Sequence, residues 1–192
     1  PSRLYSFINS LPRTSSPKEF SRALAEFLSV EQLSGYQQIV PYYIIQIDYA
    51  QNEYDKVYER ANHLLDTFPE NKNNYELHRM LGEMYYQDST YQKAVEHLAA
   101  YYKQSLEQEK EPLRADIYLL GVASYQVGKY QEAILLLKEI KEQKDSLSES
   151  AYLHLGHSYL RIGDEEKAKL SYAAAMRFNI NPRLREEAMY NY

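Results

Sequence analysis

Two histidines close together in the sequence are the first candidates for chemistry. His154 and His157 are three residues apart, so on a helix both rings lie on one side and could reach a single metal ion. A metal site needs at least a third ligand, and the sequence has no Cys and no HExxH motif. The spacing therefore favours two groove or inter-helix histidines over a metal site, and we expect no cofactor.

The other reactive side chains also lack the arrangements that catalysis needs. Asp and Glu residues mostly follow helix-surface spacing, and Glu165 and Glu166 stand where a helix N-terminus would favour negative charge. The sequence contains no Gly-rich phosphate loop and no GxSxG motif. We therefore expect that this chain is not an enzyme.

Composition narrows the class of partner. The 192 residues are 44% hydrophobic and 26% charged, which predicts a globular core. The net charge of −5 and the absence of a basic run argue against nucleic acid as a partner. No stretch approaches the roughly 20 apolar residues of a membrane span, so membrane insertion is not expected. Without Cys, the composition suits either a reducing or an oxidising compartment.

An internal repeat supplies the elements that position these residues. Three segments contain a Leu-Gly pair with a large residue before it, and an Ala follows each of these glycines at one constant separation. The resulting pairs are Gly82–Ala94, Gly121–Ala133 and Gly156–Ala168. The glycines themselves are 39 and 35 residues apart. Self-similarity at such a period is typical of stacked helical repeats.

This pattern resembles the tetratricopeptide repeat (TPR) family, whose period is about 34 residues. The resemblance implies an all-α fold, a right-handed α-solenoid of antiparallel helical hairpins. We predict four repeats (36–70, 75–108, 112–145 and 148–181), an irregular N-terminal hairpin over 1–35, and the start of a truncated repeat over 182–192. In the first repeat Gln46 takes the Gly position and Val57 the Ala position, with a turn one residue shorter.

Close packing of helices explains the glycine and alanine positions of the repeat. The glycines lie inside helices, where Gly is unfavourable, and we expect each to allow close approach of the helix that carries the matching Ala. Gly128 and Gly163 should end helices with positive φ. Pro112 and Pro182 fit first-turn positions, and Pro41 should mark or kink a helix start. Two N-terminal helices are predicted, one near Arg3–Leu11 and one that opens with a capping box at Ser16–Glu19.

The family's register also predicts which side chains line the concave groove. They form a mixed aromatic, apolar and amide surface of the kind that binds peptides or helices. The predicted groove residues are Tyr43, Ile47, Gln51, Arg79, Glu83, Tyr86, Gln87, Tyr118, Val122, Tyr125, Gln126, Leu153, His157, Leu160 and Arg161. The Lys and Asn positions with which some TPR proteins clamp a C-terminal carboxylate are absent from this set.

The expected function is a non-catalytic scaffold that binds a protein or peptide partner in this groove. The sequence is also compatible with a homo-oligomer. One alternative is a docking or regulatory domain of a larger multidomain protein, and another is a glycan- or small-ligand-binding module that uses the Tyr-rich groove. The chain starts at Pro1 without Met and stops inside a helical pattern, which predicts a fragment of a longer protein. Its 21 Tyr and its closing segment resemble long bacterial cell-envelope repeat proteins, favouring a periplasmic or envelope location.

Overall fold

The computed structural model describes residues 7, 16–30, 36–140 and 142–192, without the side chains of residues 27–30. The helices of these residues are numbered here in chain order. The backbone forms two compact units, Pro1–Leu77 and His78–Tyr192, and these are called unit 1 and unit 2. No strand occurs in the described ranges.

Unit 1 contains α1 (Pro17–Val30), α2 (Tyr36–Ala50), α3 (Tyr54–Thr67) and the first residues of α4 (Asn74–Gln87). The helix α1 begins with the predicted capping box, because Ser16 and Glu19 each accept a hydrogen bond from the other's backbone N–H (3.3 and 2.7 Å). Leu24 of α1 is fully buried against Val40 and Ile44 of α2. The predicted helix near Arg3–Leu11 lies outside the described residues, apart from Phe7.

Unit 2 contains the rest of α4 and six further helices. They are α5 (Tyr91–Glu107), α6 (Arg114–Gln126), α7 (Tyr130–Glu139), α8 (Ser146–Arg161), α9 (Glu165–Phe178) and α10 (Pro182–Asn191). Each helix from α5 to α9 packs on the next one in the chain, and α10 packs on both α9 and α8. The core is built mainly from the Leu, Ile and Ala residues of these helices.

The same three-residue turn closes four helix pairs. It joins α2 to α3, α4 to α5, α6 to α7, and α8 to α9. The middle residue has positive φ in every case: Asn52, Ser89, Gly128 and Gly163 (φ 58°, 57°, 82° and 79°). The last turn residue donates its N–H to the carbonyl five residues earlier, as in Glu53 to Asp48 and Lys129 to Ser124. The predicted role of the two glycines is therefore confirmed.

This shared turn corrects the alignment of the first helix pair. Counting back from the hydrogen-bonded carbonyl of Asp48, the position equivalent to Gly82 is Ile45, whereas the sequence pattern placed Gln46 there. The turn is not shorter, and Ala61 remains the equivalent of Leu98. Ile45 and Ala61 are both fully buried, so a large residue on the first helix and a small one on the second replace the Gly and Leu of the later pairs.

Each helical glycine makes room for a large side chain on the helix that follows the turn. A Cβ atom on Gly82 would lie 2.6 Å from Leu98 Cγ, and one on Gly121 would lie 2.9 Å from Leu137 Cγ. For Gly156, the nearest atom is Cε1 of Tyr172, at 2.5 Å. The predicted partners Ala94, Ala133 and Ala168 are buried, but none provides the nearest atoms. The close approach therefore involves the residue one turn beyond each alanine.

The prediction for Pro182 is confirmed, and that for Pro112 is wrong. Pro182 is the first residue of α10, and the Asn181 side chain caps this helix by accepting from Arg183 N (3.1 Å). Pro112 instead precedes the N-cap Leu113 of α6 and lies outside the helix. Pro41 lies within α2, five residues after its start, so it does not mark the helix start.

Candidate functional site

A pair of tyrosines recurs beside the turn of three helix pairs. One ring comes from the last turn of the first helix and the other begins the second helix. The pairs are Tyr49–Tyr54, Tyr86–Tyr91 and Tyr125–Tyr130, with ring centroids 6.1, 5.6 and 5.5 Å apart. All six rings are half-buried, so each pair presents part of its surface to solvent. The fourth helix pair has Leu160 and Glu165 at these positions.

In unit 2, side chains of α8 hold the second of its tyrosine pairs in place. Arg161 Nη2 donates to the hydroxyl of Tyr130 (2.6 Å), and its guanidinium lies 4.9 Å from the centre of the same ring. The ring of Tyr125 lies 6.3 Å from that of His157. These residues, together with Tyr86, Tyr91 and Tyr118, are called the tyrosine face of unit 2.

The two histidines of α8 are engaged by protein groups. His157 Nδ1 lies 3.0 Å from the Tyr172 hydroxyl and Nε2 lies 3.1 Å from Glu187 Oε1. A neutral ring that accepts from Tyr172 and donates to Glu187 satisfies both contacts. His154 Nδ1 donates to the Ser150 carbonyl (2.9 Å), and burial lowers the pKa of His154.

A polar cluster lies between α4 and α6. Arg79 donates to Glu83 one turn later, and both side chains are largely buried. Asp116 of α6, only 3% exposed, faces the same carboxylate. Burial and the negative charge of Glu83 raise the pKa of Asp116 to about 7. The cluster is therefore an arginine with two carboxyl groups that can share a proton.

Sequence reasoning selected Arg79 and Glu83 but missed Asp116. The repeat alignment could have identified Asp116, because the equivalent positions in the neighbouring repeats hold the apolar residues Leu77 and Ala151. A carboxyl group at an apolar core position needs a specific partner. Such a departure from the repeat pattern identifies the cluster.

A second pair of histidines joins α4 to α5. The Nδ1 atoms of His78 and His97 are 2.9 Å apart, so one ring donates and the other accepts. Burial is the main cause that lowers the pKa of both, that of His78 to about 4, where the nearby His97 also contributes. His78 thus occupies a packing position between the two helices.

The structure brings most of the predicted groove residues of unit 2 to partly exposed positions, with two exceptions. Val122 and Leu153 are core residues, 2% and 1% exposed, so neither can contribute contact area to a partner. The half-buried or exposed residues are Arg79, Glu83, Tyr86, Gln87, Tyr118, Tyr125, Gln126, His157, Leu160 and Arg161.

In unit 1, the corrected alignment moves the predicted positions by one residue. Tyr42, and not Tyr43, is equivalent to Arg79. Gln46 and Ala50 replace Ile47 and Gln51, and Tyr49 takes the position equivalent to Tyr86. Gln46 Nε2 donates to the Tyr42 hydroxyl (2.8 Å), one turn away on the same helix. Tyr43 itself is 43% exposed.

Within residues 7, 16–30, 36–140 and 142–192, no three His, Cys, Asp or Glu side chains gather in a way that could hold a metal ion. No helix in those ranges combines the length and apolar character required to cross a membrane.

Solved structures share this architecture at low sequence identity. YrrB, described as a TPR protein with an unusual peptide-binding site, gives a TM-score of 0.69 at 16% identity, over 98% of this chain and 88% of that one. MamA 41-end from Desulfovibrio magneticus RS-1 gives 0.62 at 18%, over 92% and 94%. The MamA RS-1 ArsTM double mutant gives 0.64 at 17%, over 92% and 93%.

No protein-family model and no curated protein matches the sequence. The structural likeness nevertheless establishes the fold that the repeat pattern predicted. The chain has the all-α, TPR-like solenoid fold of antiparallel helical hairpins.

Proposed function

We propose that this chain is a non-catalytic interaction scaffold and that unit 2 binds a peptide or helix of a partner protein on its tyrosine face. The observation that carries the proposal is the tyrosine pair beside the turn, which recurs at equivalent positions. In the pair Tyr125–Tyr130, Arg161 of the next helix pair holds the Tyr130 ring in place. Rings already fixed in place lose little side-chain entropy on binding, and tyrosine is enriched at interfaces. YrrB, of the same fold, is described as having a peptide-binding site.

The charges beside the face favour a partner that binds mainly by burial and hydrogen bonds. Arg79 is paired with Glu83, and Asp116 has a pKa of about 7, so these groups present little net charge near neutral pH. Arg161 remains as an exposed cation of the face, so affinity should change only modestly with salt, by about three-fold or less between 50 and 500 mM.

We also propose repeat boundaries at 36–70, 75–108, 112–145 and 148–181, with 182–192 opening a further repeat. Each of the four ranges covers one pair of helices joined by the three-residue turn, although α4 begins one residue before 75 and α8 two residues before 148. Limited proteolysis should therefore cleave first in the connectors outside these pairs.

The functional proposal is tested by selecting peptides from a random library on the folded chain and measuring their Kd by calorimetry. We expect Tyr86→Ala and Tyr125→Ala each to weaken the selected peptides at least about ten-fold, as truncation of a central aromatic contact does. Leu135→Ala is the matched control, because Leu135 is 64% exposed on α7 and lies outside the tyrosine face. Circular dichroism confirms that each variant is folded.

Peptides that bind both tyrosine variants as tightly as the wild type would place the site elsewhere on the molecule. If no peptide is selected and a glycan array gives a hit that Tyr125→Ala abolishes, the scaffold proposal is wrong and the glycan-binding alternative replaces it.

A further inference from the structure

A cavity of about 330 Å³ lies among α7, α8 and α9, away from the tyrosine face. Its floor is formed by Ala151, Leu155 and Tyr159 of α8, and Leu137 and Leu170 form apolar walls. Leu170 is 65% exposed, so the cavity is open at its edge. Its volume is within the range of small-molecule sites.

The early end of α7 accounts for this cavity. This helix has 10 residues, whereas α5, at the equivalent place in the preceding helix pair, has 17. Counting from Ala94 and Ala133, Tyr101 of α5 is equivalent to Ile140. Tyr101 is 4% exposed, and its hydroxyl accepts from Leu113 N (3.1 Å). The smaller Ile140 follows the end of α7 in an extended conformation and leaves that space unfilled.

Most polar groups around the cavity are already used by the fold. Ser171 donates to the Lys167 carbonyl, and Ser148 accepts from Gln143 N. Tyr152 donates to Glu142 (2.7 Å). The ammonium of Lys167 pairs with Asp164, which lies outside the lining (2.5 Å). The hydrogen bonds and the ion pair that satisfy these groups are therefore already provided by the protein.

Lys138 is the exception. Its ammonium forms no ion pair with an acidic side chain in the part of the chain that the structure describes. Lys138 lines the cavity together with the apolar residues of its floor. Among the lining residues that the structure describes, Lys138 is thus the cation left beside the apolar surface, and this combination matches a ligand that is apolar at one end and anionic at the other.

We propose that this cavity binds an amphipathic carboxylate, with its apolar part on Leu155 and Tyr159 and its carboxylate on Lys138. At about 30 Å³ for each group of one heavy atom, the volume takes an apolar part of the order of ten carbon atoms. The site is independent of the proposed partner-binding face.

Decanoate, decan-1-ol and decylamine test the proposal, with binding to the wild-type chain followed by NMR and calorimetry below their micelle concentrations. We expect decanoate to bind about five-fold tighter than decanol and tighter still than decylamine. Lys138→Gln should remove the preference for decanoate over decanol. Lys169→Gln, which removes an exposed lysine of α9 outside the lining, should keep it.

Two variants test the location. Ala151→Leu fills the floor and should abolish decanoate binding. Leu170→Asp places a carboxylate on an exposed wall position, where it does not threaten the fold, and should weaken decanoate at least about ten-fold. Tyr125→Ala, on the tyrosine face, should have no effect.

Equal affinities for decanoate and decylamine would overturn the assignment of an anionic ligand. Decanoate binding that is absent in the wild type at millimolar concentration, or that survives Leu170→Asp unchanged, would overturn the site itself.

Discussion

The carboxylate of Glu149, on α8, accepts a hydrogen bond from the backbone N–H of Asn181 (2.9 Å). Asn181 follows the end of α9 in the chain. It also accepts one from Ile180 N (3.2 Å) and is fully buried. Glu149 therefore satisfies two N–H groups just before α10, at the helix end where negative charge is favourable.

Glu149→Ala should destabilise unit 2 by about 2–3 kcal/mol, because two buried N–H groups lose their acceptor. Glu149→Gln should cost less, since one oxygen still accepts. Urea denaturation measures both, with the exposed Glu166→Gln as control. If Glu149→Ala costs no more than an ordinary surface substitution, water replaces the carboxylate and this account is wrong.

Gly82 and Leu98 should behave as a coupled pair. Gly82→Ala places a Cβ 2.6 Å from Leu98 Cγ and should cost about 1–3 kcal/mol through overpacking. Leu98→Ala alone should cost about 2–5 kcal/mol by opening a cavity. In the double variant the new methyl group occupies part of that cavity, so the combined loss should be at least about 1 kcal/mol smaller than the sum. Strict additivity in a denaturation cycle would contradict the close approach.

The turn positions offer a stabilising substitution. Ser89 has φ of 57°, a conformation unfavourable for residues with a Cβ, at the position that Gly128 occupies in the next helix pair. Ser89→Gly should raise the unfolding free energy by about 0.5–1 kcal/mol, and the reverse change Gly128→Ser should lower it by about 1 kcal/mol. Thermal denaturation of the two variants measures both changes. If both substitutions change the unfolding free energy in the same direction, these two turns are not equivalent.

The histidine pair should make stability depend on pH. His78 has a folded pKa of about 4, below its usual 6.5, so the unfolded chain takes up protons first as pH falls. The stability that the neutral ring provides is therefore complete above pH 6.5 and is lost as pH falls towards 4. The double variant His78→Phe/His97→Phe should show a smaller loss between about pH 7 and 4.5 in urea denaturation. The matched control is His63→Phe, on the exposed surface of α3. An unchanged pH profile in the double variant would contradict this account.

Asp116 should make stability depend on pH in the direction opposite to that of the histidine pair. Its folded pKa of about 7 is above its usual 3.8, so the folded state holds the proton more tightly. Its contribution to stability is greatest below pH 3.8 and falls as pH rises through 7. Asp116→Asn keeps the shape without the charge, and should be more stable than the wild type at pH 8, by about 1–2 kcal/mol, but not at pH 4. If the difference is the same at both pH values, the carboxyl does not titrate near 7.

Local sequence signals were sufficient for the fold because each helical glycine marks a helix crossing, and the alanine at a constant separation gives the register of the helix that follows. They were insufficient for the first repeat, where Asn52 provides the positive φ that Gly128 and Gly163 provide later. Asn adopts this conformation more readily than most residues, and treating it as equivalent to Gly would have placed Tyr42, instead of Tyr43, at the predicted site.

Long-range packing explains the remaining differences. Nothing in the local sequence stops α7 at Glu139, since no proline or glycine follows at once. The burial of Val122 and Leu153 also depends on neighbouring helices. Tertiary contacts decide such features, and repeat periodicity does not encode them.

The fixed turn limits where the chain can change length. The separation along the chain from a helical glycine to its large partner is the same in all three pairs, Gly82–Leu98, Gly121–Leu137 and Gly156–Tyr172, while the spacing between successive glycines varies. A tag or protease site inserted into residues 108–113 would therefore leave both adjoining helix pairs in register. The same insertion at residues 88–90 would separate Gly82 from Leu98 and expose the apolar surfaces that the two helices bury in each other.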